Sequence, residues 1–246
     1  MTVLARQTVS PSMIRLTLGI EPANDFPEKQ EGGYVKLMLP PLPGKAKPTV
    51  RTYTIRAQRA GEIDVDFALH GVENGVSGPA TRWATSVAPG ETIEVGGPGP
   101  AKPLPEGFDR YLIAGDMTAL PAMTVALEAL DRGARGHAVI EVQRAEDRVS
   151  IDAPEGIEVQ WLVNPEPGKA PHLLVDALRA IGRPAGSTYA WAASEFSAMR
   201  LMRAYLREEM SLSAAELYIS SYWKSGLDEE DHRAIKREDA QSLPTS

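Results

Sequence analysis

The run from Arg51 to Thr54 places a guanidinium, an aromatic ring and a hydroxyl group close together on a strand-like stretch. Arginine suits a two-point grip on phosphate, and tyrosine offers a flat surface for another ring system. Side chains alternate along a strand, so Arg51 and Tyr53 share one face while Thr52 and Thr54 share the other. On its own the run is typical of a surface strand. A large, flat, phosphate-bearing cofactor would need this combination, however, and the rest of the chain favours that interpretation.

Three later segments have the composition of anion or nucleotide sites at helix starts. Segment Gly115–Ala122 follows an apolar strand, and its Thr118 is placed to cap the next helix. Segment Tyr189–Glu195 precedes a helix that carries Arg200, and segment Ser77–Ala84 puts small residues where backbone N–H groups face outward. Ligands of open parallel sheets bind at the carboxyl ends of strands, so a pyrophosphate or nicotinamide suits the first two segments. Routine turns and a solvated arginine face fit the same residues.

Composition excludes several classes of function. A net charge of −7 and a pI near 5.2 argue against nucleic acid as a partner, since phosphate backbones require a basic surface. The chain has no cysteine, which excludes thiolate-bound iron–sulfur clusters and thiol chemistry. Its four histidines are scattered without ligand spacing, so no metal site is predicted. If the protein moves electrons, an organic cofactor must carry them.

The sequence also lacks the features of a membrane protein. No apolar run approaches the length that spans a bilayer, and the first residues lack the layout of a secretory signal. We therefore expect a cytoplasmic protein without membrane insertion.

Two kinds of element must position these residues. The first hundred residues predict short strands separated by glycine and proline, with one helix at Pro79–Val87, which favours a small closed barrel. The proline-rich run Gly97–Gly107 is predicted to be a linker. Beyond it strands and helices alternate, which predicts a parallel sheet covered on both faces. The predicted strands are Met13–Ile20, Tyr34–Leu39, Val50–Arg56, Ile63–His70, Thr92–Val95, Arg110–Ala114, Ala138–Gln143, Val159–Val163, Thr188–Ala192 and Glu216–Ser221. The later predicted helices are Ala119–Arg132, Leu173–Ile181, Glu195–Arg207 and a polar helix after Asp228.

Read together, these pieces resemble the siderophore-interacting proteins, which are flavin-dependent ferric-siderophore reductases of the ferredoxin–NADP reductase superfamily. The resemblance covers nearly the whole chain, and the joint order of its motifs is more specific than any one of them. The motifs are Arg51-Thr-Tyr-Thr-Ile-Arg56, Val65-Asp-Phe-Ala-Leu-His-Gly71, Gly78-Pro-Ala-Thr-Arg-Trp-Ala84, Gly97-Pro98, Gly115-Asp-Met-Thr-Ala-Leu-Pro-Ala122, Trp191-Ala-Ala-Ser-Glu195 and Tyr222-Trp-Lys-Ser-Gly226.

The resemblance implies an all-β plus α/β fold. A six-stranded antiparallel flavin-binding barrel would occupy residues 1–104, and a parallel-sheet nicotinamide-binding domain with a C-terminal helix would occupy residues 105–246. It also implies FAD as cofactor, with NADPH or NADH as the electron donor. Arg51 would hold the FAD pyrophosphate, Tyr53 would pack against the isoalloxazine, and Thr54 would hydrogen-bond near its N5. Tyr53 and Thr54 are thus the implied catalytic residues. The other implied cofactor contacts are His70 near the flavin, Gly78, Ala80 and Thr81 at phosphate, Thr118 at the nicotinamide pocket, and Glu195 and Arg200 in the second corner.

The implied substrate is a ferric siderophore in a basic pocket over the flavin. Lys36 matches the family's first basic position, and Lys102 and Lys224 are the other substrate-binding candidates. The chain departs from the family's pattern at three positions. Gly99 stands where a basic residue is usual, Ser194 where a glycine is usual, and Met117 where an acidic residue is usual.

Several functions stay open from the sequence. The protein could be a general NAD(P)H:flavin or quinone reductase, a siderophore reductase driven by ferredoxin, or a non-catalytic siderophore-binding protein. The sequence does not distinguish NADH from NADPH, and it names neither the siderophore nor the oligomeric state.

Overall fold

The N-terminal half is an antiparallel barrel. The computed structural model describes residues 1–22, 25–41, 46–71, 77–227 and 229–241. The barrel strands are β1 (Thr2–Ser10), β2 (Met13–Gly19), β3 (Tyr34–Leu39), β4 (Thr49–Arg59), β5 (Glu62–Ala68) and β6 (Glu94–Gly99), with helix α1 (Pro79–Ser86) between β5 and β6. They form one six-stranded sheet in the order β1-β2-β5-β4-β3-β6.

Backbone hydrogen bonds close this sheet on itself. The Val3 amide donates to the Glu91 carbonyl oxygen at 2.8 Å, and the Ile93 amide donates to the Met1 carbonyl oxygen at 2.9 Å. The first strand is thereby joined to the segment that leads into β6, which closes the sheet into a barrel. The fold prediction of a six-stranded antiparallel barrel is confirmed.

Alternating side chains explain why these segments form strands. In β5, Val65 and Phe67 are fully buried in the barrel core, whereas Asp66 lies on the other face. Asp66 is nearly buried too, and both of its oxygens accept hydrogen bonds from Arg15 of β2, at 2.6 and 2.8 Å. A buried carboxylate is tolerated here because a bidentate guanidinium satisfies it.

The C-terminal half is a five-stranded parallel sheet in the order β11-β10-β7-β8-β9, with apolar clusters on both of its faces. This confirms the predicted parallel sheet. Its strands are β7 (Arg110–Gly115), β8 (Arg135–Val142), β9 (Gly156–Val163), β10 (Thr188–Glu195) and β11 (Leu217–Trp223). Its helices are α2 (Leu120–Glu128), α3 (Leu173–Ile181), α4 (Phe196–Ala204) and α5 (Glu229–Gln241). Among the described residues, no helix has the length and apolar content needed to cross a membrane.

Some predicted boundaries are wrong. Strand β1 was not predicted, and β6 extends to Gly99, so the irregular connection to β7 begins after Gly99 rather than at Gly97. Helix α2 ends at Glu128 instead of Arg132. The helix expected up to Arg207 changes at Tyr205 into a π-helical turn.

The two halves are joined by a shared core and by buried polar contacts. Met13 of β2 belongs to the apolar cluster that packs on the parallel sheet. Asp147, between β8 and β9, is fully buried, and its Oδ1 accepts hydrogen bonds from the Ser10 hydroxyl at 2.7 Å and the Ser12 amide at 2.8 Å. Gln143 also donates to the Leu69 carbonyl oxygen at 2.7 Å. The barrel therefore packs against the second half through buried contacts.

Asp147→Ala is expected to lower the free energy of unfolding by about 2–4 kcal/mol, because it leaves buried donors of the barrel unsatisfied. Chemical denaturation followed by circular dichroism measures this change. Asp152→Ala is the control, since Asp152 forms only an exposed ion pair with Arg132 and its loss should change stability little. Equal effects of the two substitutions would contradict a structural role for Asp147.

Candidate active site

A cleft of about 1730 Å³ lies between the two halves. Its walls come from β3, β4, the start of α1, the chain after β6, α2, β11 and α5. Small-molecule sites usually measure roughly 300–1,000 Å³, so this cleft has room for a dinucleotide-sized cofactor and a second molecule beside it.

The cleft brings together most of the residues singled out in the sequence. Glu195 and Arg200 do not line it. Those that do are Lys36, Arg51, Tyr53, Thr54, His70, Gly78, Ala80, Thr81, Lys102, Thr118 and Lys224. The roles assigned to all of these residues remain predictions.

Strand β4 presents its two faces differently, as its alternation predicts. Tyr53 is paired across the sheet with the buried Val35, and its ring lies 4.3 Å from the ring of Phe67 in the barrel core. Thr54 is paired with Tyr34, on the outer face that also carries the exposed Lys36. The tyrosine ring is held by core packing, so it offers a fixed surface toward the cleft.

The start of α1 offers backbone donors to an anion. Gly78 is the residue before the helix, and no side chain caps its first turn. A Cβ built on Gly78 would meet nothing within 4 Å, so the approach to this turn is open. The amides of Ala80 and Thr81 lie in the first turn, where intrahelical acceptors are lacking, and both residues line the cleft. Phosphate is the natural ligand of such a helix start.

His70 is a half-buried residue whose two ring nitrogens are buried without a hydrogen-bond partner in the described part of the chain. Neither of its ring nitrogens is bonded to any residue that the structure describes, and its ring stacks on Trp223 with centroids 5.1 Å apart. Burial lowers the pKa of His70, against an opposing effect of Asp116, so the ring is neutral at pH 7. A buried polar group without a partner in the wall of a cleft fits a bound ligand that would satisfy it.

The carboxylate of Asp116 organises the carboxyl end of the parallel sheet. Its Oδ2 accepts hydrogen bonds from the Glu195 amide and from Trp223 Nε1, both at 2.8 Å. Its Oδ1 accepts from the amide of Thr118 at 2.9 Å and from the Thr118 hydroxyl at 2.5 Å. The prediction that Thr118 caps α2 is therefore wrong: Ala119 precedes the helix, and the Thr118 hydroxyl is engaged by Asp116. A glycine is needed at position 115 because β7 and β10 lie very close together there. A Cβ built on Gly115 would be 2.6 Å from the Ala193 carbonyl oxygen.

Comparison with known proteins identifies the family that shares this sequence. The model of the siderophore-interacting protein family matches residues 108–226, and the model of the siderophore-interacting FAD-binding domain matches residues 40–102. Ferric vibriobactin reductase ViuB of Vibrio cholerae is 33% identical over 245 residues, covering 92% of this chain and 89% of that protein. This chain belongs to the siderophore-interacting protein family.

Solved structures of the family share the fold. The siderophore-interacting protein SipS from Aeromonas hydrophila superposes with a TM-score of 0.84 at 33% identity, covering 98% of this chain and 97% of that one. Ferredoxin–NADP+ reductase from Plasmodium falciparum is only 11% identical, with a TM-score of 0.60 over 90% of this chain and 95% of that one. That likeness concerns the fold alone.

Two residues expected at the cofactor are not part of the cleft lining. Glu195 is buried, and its Oε1 accepts from the Ser225 amide at 3.2 Å and lies 3.1 Å from Nζ of Lys224. It therefore holds Lys224 at the edge of the cleft. Arg200 lies 3.5 Å from Asp239 of α5, which pairs more closely with Arg203 at 2.6 Å. Both arginines thus connect α4 to α5.

The sequence interpretation missed the contribution of α5. Arg233, Lys236 and Arg237 line the cleft from this helix. Their spacing of three and four residues puts cations on one helical face, a signal that could have indicated them. The helix is attached to β11 by polar contacts, since His232 Nε2 lies 2.6 Å from the Ser221 hydroxyl and Lys236 donates to the Ser221 carbonyl oxygen at 2.8 Å.

A second, smaller cavity is lined by His70, Asp116 and Glu141, and the carboxyl group of Glu141 is buried. Burial raises the pKa of Glu141 to about 7, a hydrogen bond from Asn164 Nδ2 at 2.8 Å acts against this rise, and the charges of Asp116 and Glu195 add to it. Glu141 thus holds its proton well above the pH at which an exposed glutamate loses it.

The raised pKa of Glu141 makes stability depend on pH. The folded state keeps this proton up to about pH 7, whereas the unfolded chain loses it near 4.5, so stability falls as pH rises between these values. Glu141→Gln keeps an acceptor for Asn164 and removes the ionisation. At pH 8 the substitution should raise the free energy of unfolding by on the order of 1–3 kcal/mol, and the melting temperature with it. At pH 4 it should give no gain.

Thermal unfolding between pH 4 and 8 measures this effect, with the exposed Glu155→Gln as the matched control. A pH profile of Glu141→Gln parallel to that of the wild type would contradict the assignment.

Proposed function

We propose that this protein is an FAD-dependent ferric-siderophore reductase that passes electrons from NAD(P)H through the flavin to siderophore-bound Fe(III). The observation that carries the proposal is the single cleft in which the Arg51–Thr54 strand, the open start of α1 and exposed lysines meet. The similarity to a protein named ferric vibriobactin reductase supports it. Residues 1–104 would form the FAD-binding domain and residues 105–246 the NAD(P)H-binding domain.

The residues present fit FAD. Arg51 would bind the pyrophosphate, and the amides of Ala80 and Thr81 would add donors at the start of α1. Tyr53 would pack against the isoalloxazine, and the neutral, unpartnered His70 would meet a polar atom of the ring system. When bound, FAD accepts two electrons and releases them one at a time, which reduction of Fe(III) by a nicotinamide requires.

The chain's own residues would orient the reactants. Thr54 lines the cleft and is paired across the sheet with Tyr34, and its hydroxyl would hydrogen-bond the cofactor near its reactive position. The cations of α5 would bind phosphates of the donor. Lys36, Lys102 and Lys224 would attract an anionic chelate. Fe(II) binds oxygen donors less tightly than Fe(III), so reduction would release the iron.

A protein donor such as ferredoxin is the second candidate. The Trp223 ring stacks on His70, and its Nε1 is bonded to Asp116 at the carboxyl end of β7, where a nicotinamide would have to enter. Anaerobic titration of the FAD-loaded protein with NADH, NADPH and reduced ferredoxin, followed by addition of a ferric siderophore, separates the donors. Bleaching by a nicotinamide would support the main proposal, and bleaching by ferredoxin alone would favour the second candidate. A flavin that none of these reduces, or whose reduced form is not reoxidised by the ferric siderophore, would overturn the reductase proposal.

Arg51→Ala is expected to weaken FAD binding about 10- to 100-fold, because charge-assisted hydrogen bonds to the pyrophosphate would be lost. The FAD affinity of Arg51→Lys should lie between those of the wild type and Arg51→Ala, since an ammonium group keeps the charge but cannot make the bidentate contact. Titration of the flavin-free protein with FAD, followed by fluorescence quenching, gives the dissociation constants.

Arg132→Ala serves as the control, since this exposed arginine pairs with Asp152 outside the cleft. Unchanged FAD affinity in Arg51→Ala would remove the basis of the proposal.

Lys36→Ala is expected to raise the KM for an anionic ferric chelate several-fold while leaving the KM for the electron donor unchanged. The wild-type KM should also rise with salt, because the Debye length shrinks from about 10 Å at 0.1 M to about 3 Å at 1 M. Steady-state kinetics at increasing ionic strength measures both effects. Lys169→Ala is the control, since Lys169 is exposed outside the cleft, and an equal response of the two variants would argue against a substrate role for Lys36.

A further inference from the structure

Tyr34 lies directly over a glycine on the outer face of the barrel. A Cβ built on Gly99 would lie 2.0 Å from Cζ of Tyr34 and 2.4 Å from each Cε atom of the ring. The tyrosine ring therefore occupies the space that any larger residue at position 99 would need. A basic side chain at this position would have to displace the ring.

The pairing of strands shows which way this ring faces. Tyr34 is the cross-strand partner of Thr54 on one side and of Gly99 on the other. Its neighbour Val35 is fully buried on the opposite, core-facing side of β3. Packing in the barrel core therefore does not account for Tyr34, which is half-buried and lines the cleft beside the predicted catalytic Thr54.

The charges beside this ring favour an electron-rich or anionic aromatic ligand. Lys36 stands two residues further along the same face of β3, and Lys102 follows shortly after β6. Within the described ranges of the chain, neither lysine forms an ion pair. The carboxylates that line the cleft are Glu31, Asp66, Glu106 and Asp131, and Asp66 is paired with Arg15. Aromatic rings attract one another in offset or edge-to-face arrangements with a preference beyond simple burial.

We propose that Tyr34 is a specificity-determining residue that packs against an aromatic ring of the iron chelate, so that the protein binds aromatic chelators more tightly than aliphatic ones. The inference rests on the proposed function, because it assumes that the chelate binds beside Thr54. It adds to that function a chemical preference and the residue responsible for it.

The test measures binding separately from electron transfer. Gallium(III) matches Fe(III) in charge and coordination but is not reduced under these conditions, so its complexes report affinity alone. The tris-benzohydroxamate and tris-acetohydroxamate complexes share the same donor atoms and are both neutral, and they differ in the aromatic ring. Calorimetric titration of the FAD-loaded protein with each complex gives the ratio of the two dissociation constants.

The wild type should bind the benzohydroxamate complex about fivefold more tightly, the size expected for one aromatic pair. Tyr34→Phe should keep this ratio, since the Tyr34 hydroxyl has no hydrogen bond among the described residues. Tyr34→Leu should bring the ratio close to one. Gly99→Ala should do the same by displacing the ring, and it serves as the second variant if Tyr34→Leu fails to retain FAD.

Each outcome decides between the alternatives. Equal binding of the two complexes by the wild type, failure of both to bind, or a preference that survives in Tyr34→Leu and Gly99→Ala would overturn the inference. The proposed function has an independent readout, since the iron(III) forms of both complexes should reoxidise the reduced flavoprotein. Loss of that reaction with the gallium preference intact would refute the reductase and leave the role of Tyr34 standing.

Discussion

The carboxylate of Asp116 is the contact on which the geometry of the cleft depends. It accepts hydrogen bonds from the turn after β7, from the start of α4 through the Glu195 amide, and from the indole of Trp223 at the end of β11. Three strands of the parallel sheet are thus fixed at their carboxyl ends by one buried group. Because Trp223 stacks on His70, the same carboxylate is also connected to the barrel. A buried carboxylate is stable only when its acceptors are satisfied, and here the chain supplies donors for both oxygens.

Much of the fold could be predicted because local patterns specify it. Helix α3 has the predicted limits Leu173–Ile181, since its apolar periodicity and the following Gly182 are both local signals. Strand β1 was missed because most of its middle, Leu4–Gln7, is exposed, so it shows little alternation of apolar residues. It forms a strand by antiparallel pairing with β2 along most of its length, and the bonds that Val3 and Met1 make to Glu91 and Ile93 join its start to the segment before β6.

The candidate site was predictable in residue type but not in every contact. The Arg51–Thr54 strand and the start of α1 line the cleft, and their residue types indicated them in the sequence. Glu195 and Arg200 have the right chemistry, but they are engaged by Lys224 and Asp239. Such pairings join distant segments and leave no periodic signal. Tyr34, which we propose as a substrate contact, is indicated by the packing of its ring on Gly99 rather than by a sequence motif.

The core shared by the two halves also restricts how molecules enter and leave. Met13 is packed into the apolar cluster of the parallel sheet, and Asp147 bonds the barrel through water-excluded contacts. A hinge motion between the halves would break these contacts at each turnover. By contrast, α5 is fastened largely by polar bonds such as those of Asp239 to Arg203 and of His232 to Ser221. None of the described residues of α5 belongs to the apolar clusters of the barrel or of the sheet. Exchange of cofactor or product should therefore follow movement of this helix, while the barrel and sheet stay fixed.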